Sequence, residues 1–170
     1  TVDRTSPTRL ADVTFGASVD DPAATLQCRL ERTAPTALVV YDWTTCPIAS
    51  TTLPADGSYL FSARATDDGQ TGTASRNLVL DQVAPDAPTI TRAWSTPTND
   101  AALTWGLSAP TTGATRTCRF TQDAGTPTAY ASCSTSVSFP AGATSGLWVL
   151  EVRDVAEAGN ALVTAAPTVE

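Results

Sequence analysis

The segment Asp56-Gly57-Ser58-Tyr59-Leu60-Phe61-Ser62-Ala63-Arg64-Ala65-Thr66-Asp67 alternates by side-chain character. Tyr59, Phe61 and Ala63 fall on one parity, and Ser58, Leu60, Ser62 and Arg64 on the other. Successive side chains of a strand point to opposite faces, so a period of two predicts a half-buried β-strand. Ninety or so positions later the pattern returns, with Trp148, Leu150 and Val152 set against Val149, Glu151 and Arg153.

Working outward, the two segments prove to be parts of a longer repeat. Gly57 to Phe61 aligns with Gly146 to Leu150, Arg64 with Arg153, and Gly69-Gln70 with Gly159-Asn160. Leu80-Asp81 aligns with Val169-Glu170. Upstream, Cys28-Arg29-Leu30 matches Cys118-Arg119-Phe120, and Phe15 matches Trp105. Cys46 and Cys133 each follow an aromatic residue by three positions, Trp43 and Tyr130. The chain is therefore two copies of one module of about 85–90 residues. Strand-like alternation also surrounds Phe15 (Ala11 to Val19) and Trp105 (Ala101 to Ala109). Turn clusters such as Asp20-Asp21-Pro22, Pro54-Ala55-Asp56-Gly57, Pro140-Ala141-Gly142 and Glu157-Ala158-Gly159-Asn160 separate the runs. The 12 prolines are spread too widely for long helices. The expectation is an all-β chain of two tandem antiparallel β-sandwiches, residues 1–81 and 82–170, joined near Asp81-Gln82-Val83-Ala84-Pro85-Asp86-Ala87-Pro88. Phe15, Trp105, Tyr59 and Trp148 are the expected core aromatics, and Trp43 and Tyr130 are expected to pack beside the cysteines.

Composition narrows function by exclusion. The 170 residues are 42% hydrophobic and 16% charged, with a net charge of −7. There is no His and no Lys, so all 10 basic residues are Arg. The usual general base, the usual zinc ligand and a Ser-His-Asp triad are thus missing, as are Schiff-base chemistry and the P-loop lysine. Scattered Arg in an acidic chain gives no basic footprint for nucleic acid, and no apolar run approaches the ~20 residues of a membrane span. G-x-S-x-G, G-x-x-x-x-G-K-[ST] and G-x-G-x-x-G are absent. Seventeen carboxylates leave a glycosidase-like pair open, but nothing singles one out. The chain is expected not to be an enzyme. It begins at Thr1 without a basic or apolar leader and reads as a mature product or a segment of something longer.

Asp56 to Asp67 resembles the "DGxYxFxVRATD" signature of the tandem immunoglobulin-like repeats of large extracellular surface proteins. Leu80-Asp81 to Ala84-Pro85 is similar to their "VDxxAPxxPxI" junction, and Leu26-Gln27-Cys28-Arg29-Leu30 with Cys46 to their "FxCxLD…C" hairpin. The resemblance covers nearly the whole chain. It implies a stalk, spacer, filament or adhesion segment of a long surface glycoprotein, from a high-GC bacterium or from an algal wall or flagellar coat. Neighbouring immunoglobulin-like modules of the same chain or filament are the implied partners, with glycan or surface protein bound by loops or exposed aromatics as the alternative. Two departures stand out. Val2 to Pro7 leads quickly into the next strand, so the first module's first strand reads as short or missing. Its cysteine hairpin also carries a longer insert, Glu31 to Val40.

Four cysteines allow three pairings. Their parallel placement favours Cys28 with Cys46 and Cys118 with Cys133, at separations of 18 and 15. Closing a loop of about 15 residues stabilises a small module by about 3 kcal/mol on the chain-entropy model. Disulfides also imply an oxidising, extracellular or cell-surface location. No cofactor is expected. Asp20, Asp21, Asp67, Asp68 and Asp81 are weak calcium candidates, since carboxylates gathered at module ends supply the oxygen ligands that calcium takes; turn formation is the plainer account. Trp94, which has no counterpart in the first copy, is a possible contact residue.

Val83 to Pro88 holds two prolines and no glycine, which restricts hinging and suggests an end-to-end rod. Small-angle scattering should then give a maximum dimension near twice that of one module. A compact profile with the modules side by side would contradict this expectation.

Overall fold

A computed structural model describes residues 1–92 and 103–166. Trp94 and the expected match of Val169-Glu170 to Leu80-Asp81 lie outside the described residues. The chain divides into two compact units, Thr1–Val83 and Ala84–Glu170. Unit 1 runs β1 (Asp12–Phe15), β2 (Thr25–Ala34), β3 (Leu38–Thr45), β4 (Ile48–Thr52), β5 (Gly57–Asp67) and β6 (Gln70–Leu80). Unit 2 runs β7 (Ile90–Arg92), β8 (Thr104–Leu107), β9 (Thr115–Gln122), β10 (Ala131–Ser132), β11 (Ser136–Ser138), β12 (Trp148–Val155) and β13 (Ala161–Ala165). No helix occurs among the described residues.

Each unit is a sandwich of two antiparallel sheets. In unit 1 the larger sheet has the order β3-β2-β5-β6 and faces the pair β1-β4. In unit 2 the order β10-β9-β12-β13 faces β11-β8-β7. The alternation in sequence becomes alternation in burial. Tyr59, Phe61 and Ala63 are buried with Phe15, Cys28, Leu30, Leu78 and Leu80, while Trp105, Leu150 and Val152 are buried with Leu107, Cys118 and Val137. Trp148 is buried too, edge-on to Phe120 and Phe139.

Two features explain why the repeat keeps particular residue types. Tyr59 donates its hydroxyl to the carbonyl of Ala55, four residues back, and pins the corner that leads into β5. At the equivalent corner the Trp148 indole Nε1 donates to the carbonyl of Thr144 at 3.1 Å, so a different ring makes the same bond. Just ahead of each ring stands a glycine with positive φ, Gly57 at 148° and Gly146 at 150°. A Cβ on Gly57 would sit 2.1 Å from the carbonyl oxygen of Ala34, and one on Gly146 would sit 2.4 Å from Asp123 Oδ2. Only glycine fits either place.

The strand expected over Ala11 to Val19 stops at Phe15. Phe15 pairs with Ile48, and the next residue, Gly16, turns its backbone away to Thr1, giving its N–H to the Thr1 carbonyl at 2.9 Å and accepting from the Thr1 amino group. In unit 2 the described part of the corresponding strand is Thr104–Leu107. The first segment of unit 1 is reduced to two isolated bridges, Val2 antiparallel to Phe15 and Thr8 parallel to Leu80, where unit 2 has β7 on β8. The Glu31 to Val40 insert is spent on extending the β2–β3 hairpin.

Inside unit 2 lies an ion pair that the reading of the repeat passed over. Arg116 of β9 and Asp154 of β12 are cross-strand partners with side chains only 2% and 0% exposed. Arg116 Nε donates to Asp154 Oδ1 at 2.7 Å and Nη2 to Oδ2 at 2.6 Å, a bidentate fork. Nη1 also donates to the carbonyl of Ser108. At the same register unit 1 places Leu26 opposite Ala65. Desolvating two charges costs about as much as their attraction returns, whereas removing one partner strands the other in the core. Asp154→Ala should therefore destabilise unit 2 by about 3–5 kcal/mol, while Arg116→Leu with Asp154→Ala should restore it to within about 1–2 kcal/mol of the parent. Urea unfolding followed by tryptophan fluorescence checks this; a double variant as unstable as the single one would contradict it.

Candidate functional site

The outward face of each large sheet carries the surface chemistry that both units share. Outward positions on β5 and β12 alternate with the core, and a planar guanidinium there meets an aromatic ring from the strand or loop near the second cysteine. In unit 1 the Arg64 guanidinium lies 4.2 Å from the centroid of Trp43. Arg64 Nε also donates to Gln27 Oε1 at 2.9 Å, which orients the stack. Beside it, Arg29 of β2 pairs with Glu31 at 2.9 Å and lies 3.7 Å from Asp42. In unit 2, Tyr130 lies 4.6 Å from the Arg119 guanidinium and 5.7 Å from that of Arg153. Arg119 in turn donates to Glu151, and that hydrogen bond holds its guanidinium above the ordinary value for arginine.

Beneath each stack, on the inward parity, lies a disulfide. Cys28 is bonded to Cys46 with Cα atoms 5.2 Å apart, and Cys118 to Cys133 with Cα atoms 5.8 Å apart. Sequence reading set Trp43 and Tyr130 beside the cysteines; the structure adds that both rings are half-buried and clasped by arginine. The signal was present in the match of Arg64 to Arg153. It required knowing that β3 and β5 flank β2, one on each side, in a single sheet.

The acidic candidates do local backbone work. Asp21 Oδ1 accepts from the N–H of Ala23 at 2.9 Å, and Asp81 Oδ1 accepts from that of Val83 at 3.0 Å. Asp67 closes the β5–β6 hairpin opposite Gln70, and Asp68 and Gly69 make its tight turn with φ of 45° and 78°. Asp20 lies exposed in the loop ahead of β2. Among the described residues no three His, Cys, Asp or Glu side chains gather closely enough to hold a metal ion.

No family model matches the chain, and no curated protein matches it. Among solved structures it is similar to a tetra-tandem repeat from the extending region of a large adhesion protein, at 16% identity and a TM-score of 0.38, covering 100% of this chain and 48% of that one. It is also similar to the fibronectin(III)-like modules of CbhA from Clostridium thermocellum, at 16% identity and a TM-score of 0.47, covering 99% of this chain and 92% of that one. The chain thus spans about half the length of the adhesion-protein structure.

The arginine–aromatic stack is a cross-strand clasp, and its strength is measurable. A double-mutant cycle on Trp43→Ala and Arg64→Ala should return a coupling of about 0.5–1 kcal/mol in unfolding free energy. A coupling indistinguishable from zero would reduce the stack to a surface coincidence.

Proposed function

We propose that the chain is a pair of tandem immunoglobulin-like modules acting as a stalk, spacer or filament segment of a long extracellular surface glycoprotein. The observation that carries this reading is sameness. Disulfide and corner bond stand at matched positions in both units, and the matched Arg64 and Arg153 each lie over the matched ring, Trp43 at 4.2 Å and Tyr130 at 5.7 Å. A recognition site has no reason to be built twice at matched positions, whereas a module selected for cohesion has every reason to repeat its fasteners. Two disulfides favour an oxidising exterior, where such proteins work. On this reading the partners are the adjoining modules of the same chain or filament, and the parent is a bacterial surface protein or an algal wall or flagellar coat.

A second reading, an adhesin surface, draws on the β2–β3 hairpin. There unit 1 differs from unit 2, exposing Leu38 and Val39 beside Arg29 and Arg32 around a shallow hollow. A glycan or protein partner would engage that hairpin rather than the shared clasp.

Single-molecule stretching tests the spacer reading. Pulled from its two ends, the oxidised chain should yield two separate unfolding steps. Reduction should lengthen one step by roughly 6 nm and the other by roughly 5 nm, because loops of 18 and 15 residues are released at about 3.4 Å per residue. A single merged step, or steps unchanged by reductant, would overturn modules that bear tension in series.

A further inference from the structure

Each large sheet ends in two edge strands, and three of those four edges are short or broken. β3 loses register with β2 between Cys28 and Leu30 and again between Leu30 and Glu31. β10 has 2 residues and β13 has 5. Short or bulged edges are the usual means of preventing one sheet from pairing with another. β6 has neither protection. It runs for 11 residues in unbroken register with β5, from Gly57 opposite Leu80 to Asp67 opposite Gln70.

Only the last part of the β6 outer edge is covered. Val79 receives the N–H of Thr8 on its carbonyl at 2.9 Å and gives its own N–H to Ser6 Oγ at 3.0 Å. In an antiparallel ladder, residues two apart turn their backbone groups to the same side. Asn77, Ser75, Thr73 and Thr71 therefore face outward as Val79 does. Among the described residues nothing bonds to their backbone there, and every residue from Gln70 to Asn77 is exposed.

We propose that this edge pairs with β6 of a second copy of the chain, antiparallel about a two-fold axis at Ala74, joining two four-stranded sheets into one. The inference rests on the fold and not on the spacer reading. The edge complements itself in this register. Thr73 faces Ser75 and Thr71 faces Asn77 of the other copy, so outward backbone groups meet outward backbone groups and small polar side chains meet their like. Arg76 is the sole charged side chain between Gly69 and Leu80. It faces Gly72 of the other copy, where nothing lies within 4 Å of the position a Cβ would take. In a chain of net charge −7, this stretch is also one where two copies approach without carboxylate meeting carboxylate. The pairing runs from Gln70 to Leu78 and stops where Ser6 and Thr8 already hold Val79.

Sedimentation over a concentration series, with two cysteine variants and one proline variant, tests this. The wild-type chain should dimerise reversibly at or below about 1 mM. Thr73→Pro deletes an outward N–H, which an edge strand tolerates, and should leave a folded monomer. Ala74 faces its own copy across a non-hydrogen-bonded pair with Cα atoms about 4.5 Å apart, within disulfide reach. A74C should thus cross-link under mild oxidation at least about tenfold faster than V39C on the bulged β3 edge, through effective concentration. A wild-type chain monomeric at about 1 mM, a T73P variant that dimerises as well as its parent, or equal cross-linking rates for A74C and V39C would each overturn the proposal.

Discussion

Both units depend on one central antiparallel pair, β2 with β5 in the first and β9 with β12 in the second. Its register decides which side chains face the core, because a slip of one residue would exchange the two faces of every strand laid against it. Cys28 and Cys118 sit inward on these pairs, opposite Ala63 and Val152. Each disulfide therefore ties the central pair to the strand or loop that leads into the facing sheet. The clasp on the outward side has the same dependence, since Gln27 and Arg64, or Arg119 and Glu151, are cross-strand partners in that register.

Unit 2 shows how much variation the pair tolerates. Where unit 1 has Leu26 opposite Ala65, unit 2 has Arg116 opposite Asp154, sealed from solvent and satisfied by a fork of hydrogen bonds. The two solutions are not equal in what they demand. An apolar pair accepts many neighbours of similar volume, whereas a buried fork accepts only its own geometry. The register of β9 on β12 is thereby specified more narrowly than that of β2 on β5.

Most of the architecture was legible because its period is local. Tyr59, Phe61 and Ala63 alternate within five residues, and the repeat copies the pattern with Trp148, Leu150 and Val152. What escaped reading depended on partners distant in sequence. Asp154 continues the inward series begun by Trp148, but a carboxylate there makes sense only once Arg116 is known to face it. The early end of β1 likewise turned on Thr1, which takes the backbone groups of Gly16 from fifteen positions away in the chain. Trp43 and Tyr130 were placed near the cysteines by spacing alone, while the arginines above them arrive from β5, β9 and β12. The matched Gly57 and Gly146 were visible as a repeat, yet the carbonyl and carboxylate that crowd a side chain there come from Ala34 at the end of β2 and from Asp123 just after β9.

The disulfides also determine what happens when the backbone is cut. Cys28 and Cys46 bracket the exposed tip of the β2–β3 hairpin, Pro35 to Ala37, and Cys118 and Cys133 bracket the exposed loop from Asp123 to Ala129. Exposed tips of this kind are where proteases nick first. A nick in either place leaves both fragments on one covalent body, so the chain stays continuous from Thr1 to Glu170 with its peptide backbone broken. In each unit the bridge works as a bypass around the most exposed tip of its own hairpin or loop.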